Sequence, residues 1–160
     1  MIVYHKKKIK MDKTVLCYLF KGDEVLLLYR NKKKNDINQG KWIGVGGHIE
    51  KGESPEEALN REVKEETGLT LKDCSKRGLL YFVNGNYEEV IYLYSSSSFI
   101  GELKECDEGE LKYFPKNQIF DLPMWEADKI FLKYLLSNEP YFELKLVYEG
   151  DSLLSFERMK

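Results

Sequence analysis

The sequence has no apolar run approaching the roughly 18 residues of a membrane-spanning helix, so we expect no membrane association. It has no large excess of either charge, since 25 basic residues face 27 acidic ones, which argues against a stable nucleic-acid partner. Its three cysteines, Cys17, Cys74 and Cys106, lack metal-binding or disulfide spacing and are typical of buried or incidental thiols in a reducing compartment. The basic start lacks the apolar segment of a secretory signal. These absences predict a cytoplasmic protein.

The chain of 160 residues is long enough for one domain with a sizeable core and too short for two ordinary ones. A hydrophobic share of 42% beside 32% charged residues is typical of a soluble globular protein. We predict a basic N-terminal extension over residues 1–12 and a single domain over residues 13–160. The extension is either a solvated, frayed end or an arm that meets phosphates, and the first is the preferred interpretation.

Apolar runs and turn residues alternate as in a mixed α/β domain. One helix is predicted from Ser54 to Glu66, because Ser54 with Glu57 forms a capping box, Pro55 suits the first turn and Gly68 can end the helix. A second helix is predicted over residues 126–137, and a closing hairpin over residues 141–156. Strands are predicted at residues 14–20, 25–30, 80–83, 90–94 and 110–114; the first two are apolar enough to be covered on both faces.

Residues 47–69 follow the pattern G-x5-E-x7-R-E-U-x-E-E-x-G-U, in which U is an apolar residue. At ordinary residue usage such a match arises by chance on the order of once in a million chains of this length. All fixed positions are satisfied: Gly47, Glu53, Arg61, Glu62, Val63, Glu65, Glu66, Gly68 and Leu69.

The acidic residues of this pattern fall on one side of the predicted helix. At 3.6 residues per turn, Glu62, Glu65 and Glu66 occupy an arc about 100° wide, and Leu59 and Val63 border it, where they can pack on a sheet. Three carboxylates so close repel one another unless a cation lies between them. Mg²⁺ suits such oxygen ligands, and Mn²⁺ is possible. The alternative is a solvated acidic face, which the glycines and arginine of the complete pattern disfavour.

Two further residues of the pattern are candidates for the catalytic machinery. Arg61 is adjacent to Glu62 and one turn before Glu65, so its guanidinium can hold a carboxylate. Its alternative is a surface ion pair. Glu53 precedes the helix and either reaches back toward the cation or favours the helix N-terminus.

The complete pattern is the signature of the Nudix hydrolases, and the chain resembles that family. The resemblance implies a mixed β-sheet sandwiched between α-helices (α/β/α) and hydrolysis of a diphosphate linkage by water. It also implies that the Gly47 carbonyl, Glu65 and Glu66 are cation ligands. Glu62 is the candidate general base and shares in cation binding.

Four segments extend the likeness beyond the pattern, across roughly residues 13–156. They resemble the 8-oxo-dGTP diphosphatases, both the human-type nucleotide-pool sanitiser and MutX-like bacterial proteins. The segments are residues 40–47, 105–114, 123–128 and 148–151.

This closer resemblance implies residues for substrate binding. Glu108 matches an acid that reaches the metal from outside the pattern, and Arg30 matches a basic residue near the phosphates. Trp125 matches an indole that stacks on the base, and Asp128 matches an acid that reads the base edge. Each has a plainer alternative: a surface glutamate, a solvated arginine, a core tryptophan and a first-turn acid.

Two positions depart from the human-type enzyme. Ile43 stands where that enzyme has a base-reading asparagine, and Ala127 precedes Asp128 where it has a second aspartate. Because polar groups of this kind discriminate among bases, purine recognition is expected to be looser or to use other residues.

We therefore expect Mg²⁺-dependent hydrolysis of a nucleoside triphosphate to a monophosphate and pyrophosphate. The favoured substrate is 8-oxo-dGTP or a related purine deoxynucleotide, and the role is sanitation of the nucleotide pool. A diphosphatase acting on ADP-ribose, a nucleotide sugar or RNA 5′ ends is the first alternative, and a non-catalytic nucleotide-sensing module is the second. The chain is expected to act on a small molecule as a monomer or homodimer.

The substitution Glu65→Gln tests the cation site. We expect it to reduce turnover severely while leaving the fold intact, because it removes a ligand charge and no core packing. Turnover compared with the wild type measures the effect. Nearly full activity would contradict the assignment of Glu65 as a ligand.

Overall fold

The computed structural model describes residues 11–160. The first strand begins at Met11, two residues inside the segment assigned to the basic extension, and the rest of that extension lies outside the described residues. The described part contains nine strands, two α-helices and a short 3₁₀ helix at Lys116–Gln118. In chain order these elements are β1 Met11–Lys21, β2 Glu24–Arg30, β3 Trp42–Ile43, β4 Val45–His48, α1 Pro55–Thr67, β5 Thr70–Asn84, β6 Tyr87–Ile100, β7 Gly109–Pro115, α2 Glu126–Leu136, β8 Phe142–Glu149 and β9 Ser152–Arg158.

The strands form one mixed sheet in the order β3-β2-β1-β6-β5-β8-β9. Strands β1 and β6 pair in parallel, as do β5 and β8, whereas the other pairs are antiparallel. Two strands lie off this path, since β4 pairs with β1 and β7 pairs with β2. Each of the predicted strands is present.

Strands β5 and β6 are much longer than the predicted segments, with 15 and 14 residues. The half of each strand that lies away from the connecting turn is largely polar, and the serine tract at residues 95–98 is part of β6. These halves are extended because the two strands pair from Thr70 opposite Ile100 to Asn84 opposite Tyr87, with register shifts on the way. Backbone pairing across the hairpin thus overrides the weak strand propensity of the polar residues.

The sheet has a hydrophobic core and a helix on each face, which confirms the predicted α/β/α arrangement. On one face α1 packs through Ala58, Leu59 and Val63, and on the other α2 packs through Phe131 and Leu135. Strands β1 and β2 contribute alternate residues to both cores, as their near-continuous apolarity predicts. Those on the α1 face are Val15, Cys17, Leu19, Leu26 and Leu28, and those on the α2 face are Tyr18, Val25 and Leu27.

Helix α1 begins and ends where the sequence predicts. The Ser54 hydroxyl accepts a hydrogen bond from the Glu57 N–H, and the Glu57 carboxylate accepts one from the Ser54 N–H. Gly68 ends the helix in the left-handed conformation at φ 82°, which a residue with a Cβ adopts only at a cost. Local sequence alone therefore places the acidic residues of α1 along the chain.

The remaining sequence expectations concern membranes and thiols. None of the helices formed by residues 11–160 is long and apolar enough to cross a membrane. The three cysteines are free; Cys17 and Cys106 are buried and Cys74 is partly exposed.

The capping box should make a measurable contribution to stability. We expect Ser54→Ala to lower the free energy of unfolding by about 1 kcal/mol, because the Glu57 N–H in the first turn of α1 loses its side-chain acceptor. Chemical denaturation of the variant measures this loss. Ser97→Ala is the matched control, since the Ser97 hydroxyl is exposed and has no hydrogen bond within residues 11–160. Equal stability of the two variants would contradict the contribution of the cap.

Candidate active site

One cleft of about 410 Å³ contains most of the predicted site residues. It runs along β1 and β4 and reaches the residues of α2 that face the sheet. The predicted residues that line it are Arg30, Gly47, Glu62, Glu108, Trp125 and Asp128. The others, Glu53, Arg61, Glu65 and Glu66, lie on or beside α1 and do not line the cleft.

Two glycines of β4 allow close contact with its neighbours, Gly46 with strand β1 and Gly47 with helix α1. A Cβ on Gly46 would overlap the Val15 carbonyl oxygen of the paired strand β1. A Cβ on Gly47 would lie 2.5–2.7 Å from the carboxylate atoms of Glu62. Any larger residue at either position would therefore separate the strand from its neighbours. The glycines bring a backbone segment against the acidic face of the helix.

Glu66 extends from α1 into the interior, where the residue is only 7% exposed. Its Oε1 accepts a hydrogen bond of 3.1 Å from the Gly46 N–H, but its Oε2 is buried without a partner among residues 11–160. Burial and the nearby Glu108 raise the pKa of Glu66 to about 8, against the opposing effect of the Gly46 hydrogen bond. A buried carboxylate oxygen without a donor is costly, and a cation would remove this cost.

Glu62 is half-buried beside Gly47 and accepts a 2.7 Å hydrogen bond from Arg61. Burial raises the pKa of Glu62, Arg61 opposes this effect, and the charges of Glu65 and Glu108 add to it. Glu62 therefore holds a proton more readily than an ordinary glutamate.

Arg61 connects α1 to the loop before it. Its guanidinium makes a bidentate pair of 2.7 and 2.8 Å with Glu53 and donates a 3.0 Å hydrogen bond to the His48 carbonyl. The same group contacts Glu62 at 2.7 Å and Glu65 at 3.4 Å. Such a fork of donors fixes the direction of several carboxylates at once.

The Glu53 carboxylate accepts hydrogen bonds from a side chain and from the backbone. Besides Arg61, the Glu50 N–H donates to its carboxylate at 2.8 Å. The Arg61 hydrogen bond and then the Glu50 N–H lower the pKa of Glu53 to about 2. A carboxylate with so low a pKa accepts a proton poorly near neutral pH, so its geometry suits positioning of Arg61.

The carboxylates are paired with arginines rather than arranged as a closed set of ligands. Within residues 11–160, no three acidic, histidine or cysteine side chains already form a cation site. Glu108 is 2.7 Å from Arg30, and Glu62 is held by Arg61. The donor chemistry nevertheless fits Mg²⁺, since these groups offer oxygen ligands only and the Glu66 Oε2 has no partner among residues 11–160.

A hydrogen-bonded network connects Arg30 to Trp125 through two residues that sequence analysis did not identify. The Arg30 Nε donates to the Asp36 Oδ2 at 2.6 Å, and the Asn38 N–H donates to the Asp36 Oδ1 at 3.1 Å. The Trp125 Nε1 then donates to the Asn38 Oδ1 at 2.8 Å. No role is predicted for residues 31–39 from the sequence alone. The spacing Asp-x-Asn, typical of a side chain that binds backbone two residues on, was the available signal.

Trp125 lines the cleft but is mostly buried, with 7% of its surface exposed. It packs edge-on against Tyr148, with ring centres 5.1 Å apart, and the Lys41 ammonium lies 4.4 Å from the centre of the indole. Stacking of a base on Trp125 stays a prediction. Because Trp125→Ala would also remove core packing, at a cost of about 3–5 kcal/mol, that substitution would not isolate a stacking role.

Asp128 lines the same part of the cleft. Burial raises its pKa to about 8, and Lys41 opposes this rise. Asp128 therefore holds a proton more readily than an ordinary aspartate, and its protonated form can donate a hydrogen bond. Of the two positions that depart from the human-type enzyme, Ile43 lines the cleft, whereas Ala127 is buried in the core.

Glu66→Gln tests whether the unpaired carboxylate is a cation ligand. The pKa of Glu66 is raised from its ordinary 4.5 to about 8, so its contribution to folding is full below pH 4.5 and is lost as the pH rises through 8. In metal-free protein at pH 9, Glu66→Gln should therefore increase the free energy of unfolding, by a few kcal/mol at most.

Thermal unfolding with and without Mg²⁺ provides the second half of this test. Mg²⁺ should raise the Tm of the wild type but have little effect on the Glu66→Gln variant. Equal Mg²⁺-induced shifts in the two proteins would contradict a ligand role for Glu66.

Known proteins resemble this chain in sequence and in fold. The NUDIX domain matches residues 10–135. A MutT protein structure from Bacillus halodurans superposes with a TM-score of 0.84 and 29% identity, covering 92% of this chain and 97% of that one. The Nudix hydrolase YvcI of Bacillus subtilis is 28% identical over 91% of this chain and 93% of its own length. An oxidized purine nucleoside triphosphate hydrolase of Danio rerio is 31% identical over 68% of this chain and 71% of its own length. The chain therefore belongs to the Nudix family of hydrolases.

Proposed function

We propose that the protein hydrolyses purine nucleoside triphosphates, with 8-oxo-dGTP or a related oxidised deoxynucleotide favoured, to a monophosphate and pyrophosphate. The single observation that carries this proposal is the cleft. One part contains Gly46, which is hydrogen-bonded to Glu66, a residue whose Oε2 has no donor among residues 11–160, and another part is an apolar pocket with Trp125 and Asp128. Similar proteins from Danio rerio and Mus musculus are oxidized purine nucleoside triphosphate hydrolases, which supports the same class of substrate. The cellular role would be sanitation of the nucleotide pool in the cytoplasm, which limits DNA damage.

The residues that would hold Mg²⁺, or Mn²⁺ in its place, lie in and around strand β4, which contains Gly46 and Gly47. When bound, the cation neutralises phosphate oxygens and lowers the pKa of bound water. The ligands would be the Gly47 carbonyl, Glu62, Glu65, Glu66 and Glu108.

The protein groups around this site orient the reactants and accept a proton. Water attacks the α- or the β-phosphorus, the bond from that phosphorus to the oxygen between the two breaks, and the products are a nucleoside monophosphate and pyrophosphate. Glu62 is the candidate base, since its raised pKa favours proton uptake from the attacking water. Arg61 fixes the orientation of the Glu62 carboxylate. Glu53 in turn fixes the orientation of Arg61 through its bidentate ion pair. Both act here as positioning residues.

Arg30 supplies the positively charged side chain that we assign to phosphate binding. Its guanidinium lines the cleft, and its side chain is directed by the 2.6 Å ion pair with Asp36. The remaining donors of a guanidinium can bind phosphate oxygens while this pair is kept. Asp36 thus limits where Arg30 can reach.

The far part of the cleft suits a purine ring. Its lining is largely apolar and aromatic, as in pockets that bury flat ligands, with Asp128 among its few polar groups. The apolar side chains are Ile43, Leu80, Phe82, Ile91, Phe131, Leu146 and Tyr148.

Pyrophosphate release in the presence of Mg²⁺ tests the proposed reaction. We expect kcat/KM to be highest for 8-oxo-dGTP among 8-oxo-dGTP, dGTP and dATP, with no turnover after chelation of divalent cations. Hydrolysis of ADP-ribose, measured as AMP formation, is compared in parallel.

The possible outcomes separate the alternatives. Activity on ADP-ribose alone would keep the cation ligands and contradict the base-binding roles of Trp125 and Asp128. Absence of turnover with every nucleotide would contradict the proposed reaction and favour a nucleotide-sensing module.

A further inference from the structure

Asn38 lines the cleft and has no role in the chemistry described above. It lies in the loop between β2 and β3 and is partly exposed. Of the nearby residues, Ile43 offers no polar group to a ligand, and the Trp125 N–H already donates to Asn38. The Asn38 amide is therefore a polar group of the base pocket whose purpose needs an explanation.

The orientation of this amide follows from its partner. An indole N–H can only donate, so the oxygen of Asn38, rather than its nitrogen, must face Trp125. The Nδ2 group consequently points away from the indole and carries two N–H donors. Within the part of the chain that the structure describes, Nδ2 has no hydrogen-bond partner.

The backbone of Asn38 is held as firmly as its side chain. Its N–H donates to Asp36 at 3.1 Å, and its carbonyl accepts from the Lys41 N–H at 3.0 Å. Asp36 is in turn fixed by its ion pair with Arg30. With its backbone and side-chain oxygen bound, the amide presents its donors in one direction without a need for reordering on ligand binding.

We propose that the Nδ2 group of Asn38 donates a hydrogen bond to a ring carbonyl of the bound purine and selects oxo-substituted purines over their counterparts that lack the carbonyl. This inference rests on the proposed function, because it needs a purine in the cleft. A donor pair favours a carbonyl oxygen and disfavours an exocyclic amine, which is itself a donor. Asn38 would thus supply base reading that Ile43 cannot provide.

Two pairs of nucleotides locate the carbonyl. Deoxyinosine triphosphate and dATP differ at position 6 of the ring, whereas 8-oxo-dATP and dATP differ at position 8. The selectivity ratio is kcat/KM for the oxo nucleotide divided by kcat/KM for dATP. In the wild type we expect at least one of these ratios to exceed about ten, as for a hydrogen bond formed in a pocket.

Two substitutions separate base reading from support of Trp125. Asn38→Asp keeps an oxygen for the indole N–H but replaces the donors with an acceptor, so the selectivity ratio should fall at least about tenfold. Asn38→Leu has a similar size and neither donor nor acceptor, and should bring the ratio close to one. Asn35→Asp is the matched control, since Asn35 is an exposed residue of the same loop whose positive φ of 58° aspartate tolerates. It should keep the wild-type ratio.

The contrary results are equally distinct. Unchanged ratios at both ring positions in Asn38→Asp and Asn38→Leu would overturn the proposal, even if Asn38→Leu slows every substrate equally through Trp125. Tryptophan fluorescence verifies that each variant is folded. The same comparisons are made by calorimetric binding of the corresponding monophosphates. If no nucleotide is hydrolysed, the proposed function is contradicted. If the wild type still binds oxo-purine monophosphates selectively and the Asn38 variants lose this selectivity, Asn38 is still supported as the base-reading residue.

Discussion

Contact between the acidic face of α1 and the glycine strand β4 is the constraint on which the rest of the site depends. Gly47 has no Cβ to push Glu62 and the helix away, and Gly46 has no Cβ to push β4 away from β1. In this arrangement the Gly46 N–H donates to Glu66. Within the part of the chain that the structure describes, this arrangement leaves one Glu66 oxygen buried without a donor, and it places Glu62 beside the cleft. The fold is stable enough to hold this unfavourable arrangement because apolar side chains of α1 are buried on the sheet around it. A cation among these oxygens would convert the electrostatic cost into binding affinity.

Asp36 extends the organisation of the site from the phosphates to the base. One of its oxygens binds Arg30 and the other binds the backbone of Asn38, whose side chain binds Trp125. The two parts of the cleft therefore share a single loop rather than being built independently. A substitution of Asp36 would disturb both Arg30 and Asn38, so changes in substrate selectivity and in catalysis are expected to be coupled there.

The parts that local sequence determines could be predicted, and those that depend on tertiary contacts could not. Ser54, Gly68 and the spacing of the glutamates define α1 through interactions within a few residues, so its limits and acidic face follow from the sequence. The hydrogen bond between Glu66 and Gly46 joins residues that are 20 positions apart in the sequence, and the one between Asn38 and Trp125 joins residues that are 87 positions apart. Neither contact has a periodic signal. The polar ends of β5 and β6 were missed for the same reason, since pairing between strands makes them extended.

A crystal grown with Mn²⁺, examined by anomalous scattering, tests most directly whether the buried carboxylate of Glu66 is a cation ligand. The predicted result is an anomalous peak within coordination distance of the Glu66 Oε2 and the Gly47 carbonyl oxygen, with Arg61 still bound to Glu53. A peak confined to other groups, with Glu66 bound only to the Gly46 N–H at saturating Mn²⁺, would contradict it. In that case Glu66 would be a structural residue, and the cation would have to be held by the more exposed carboxylates of α1.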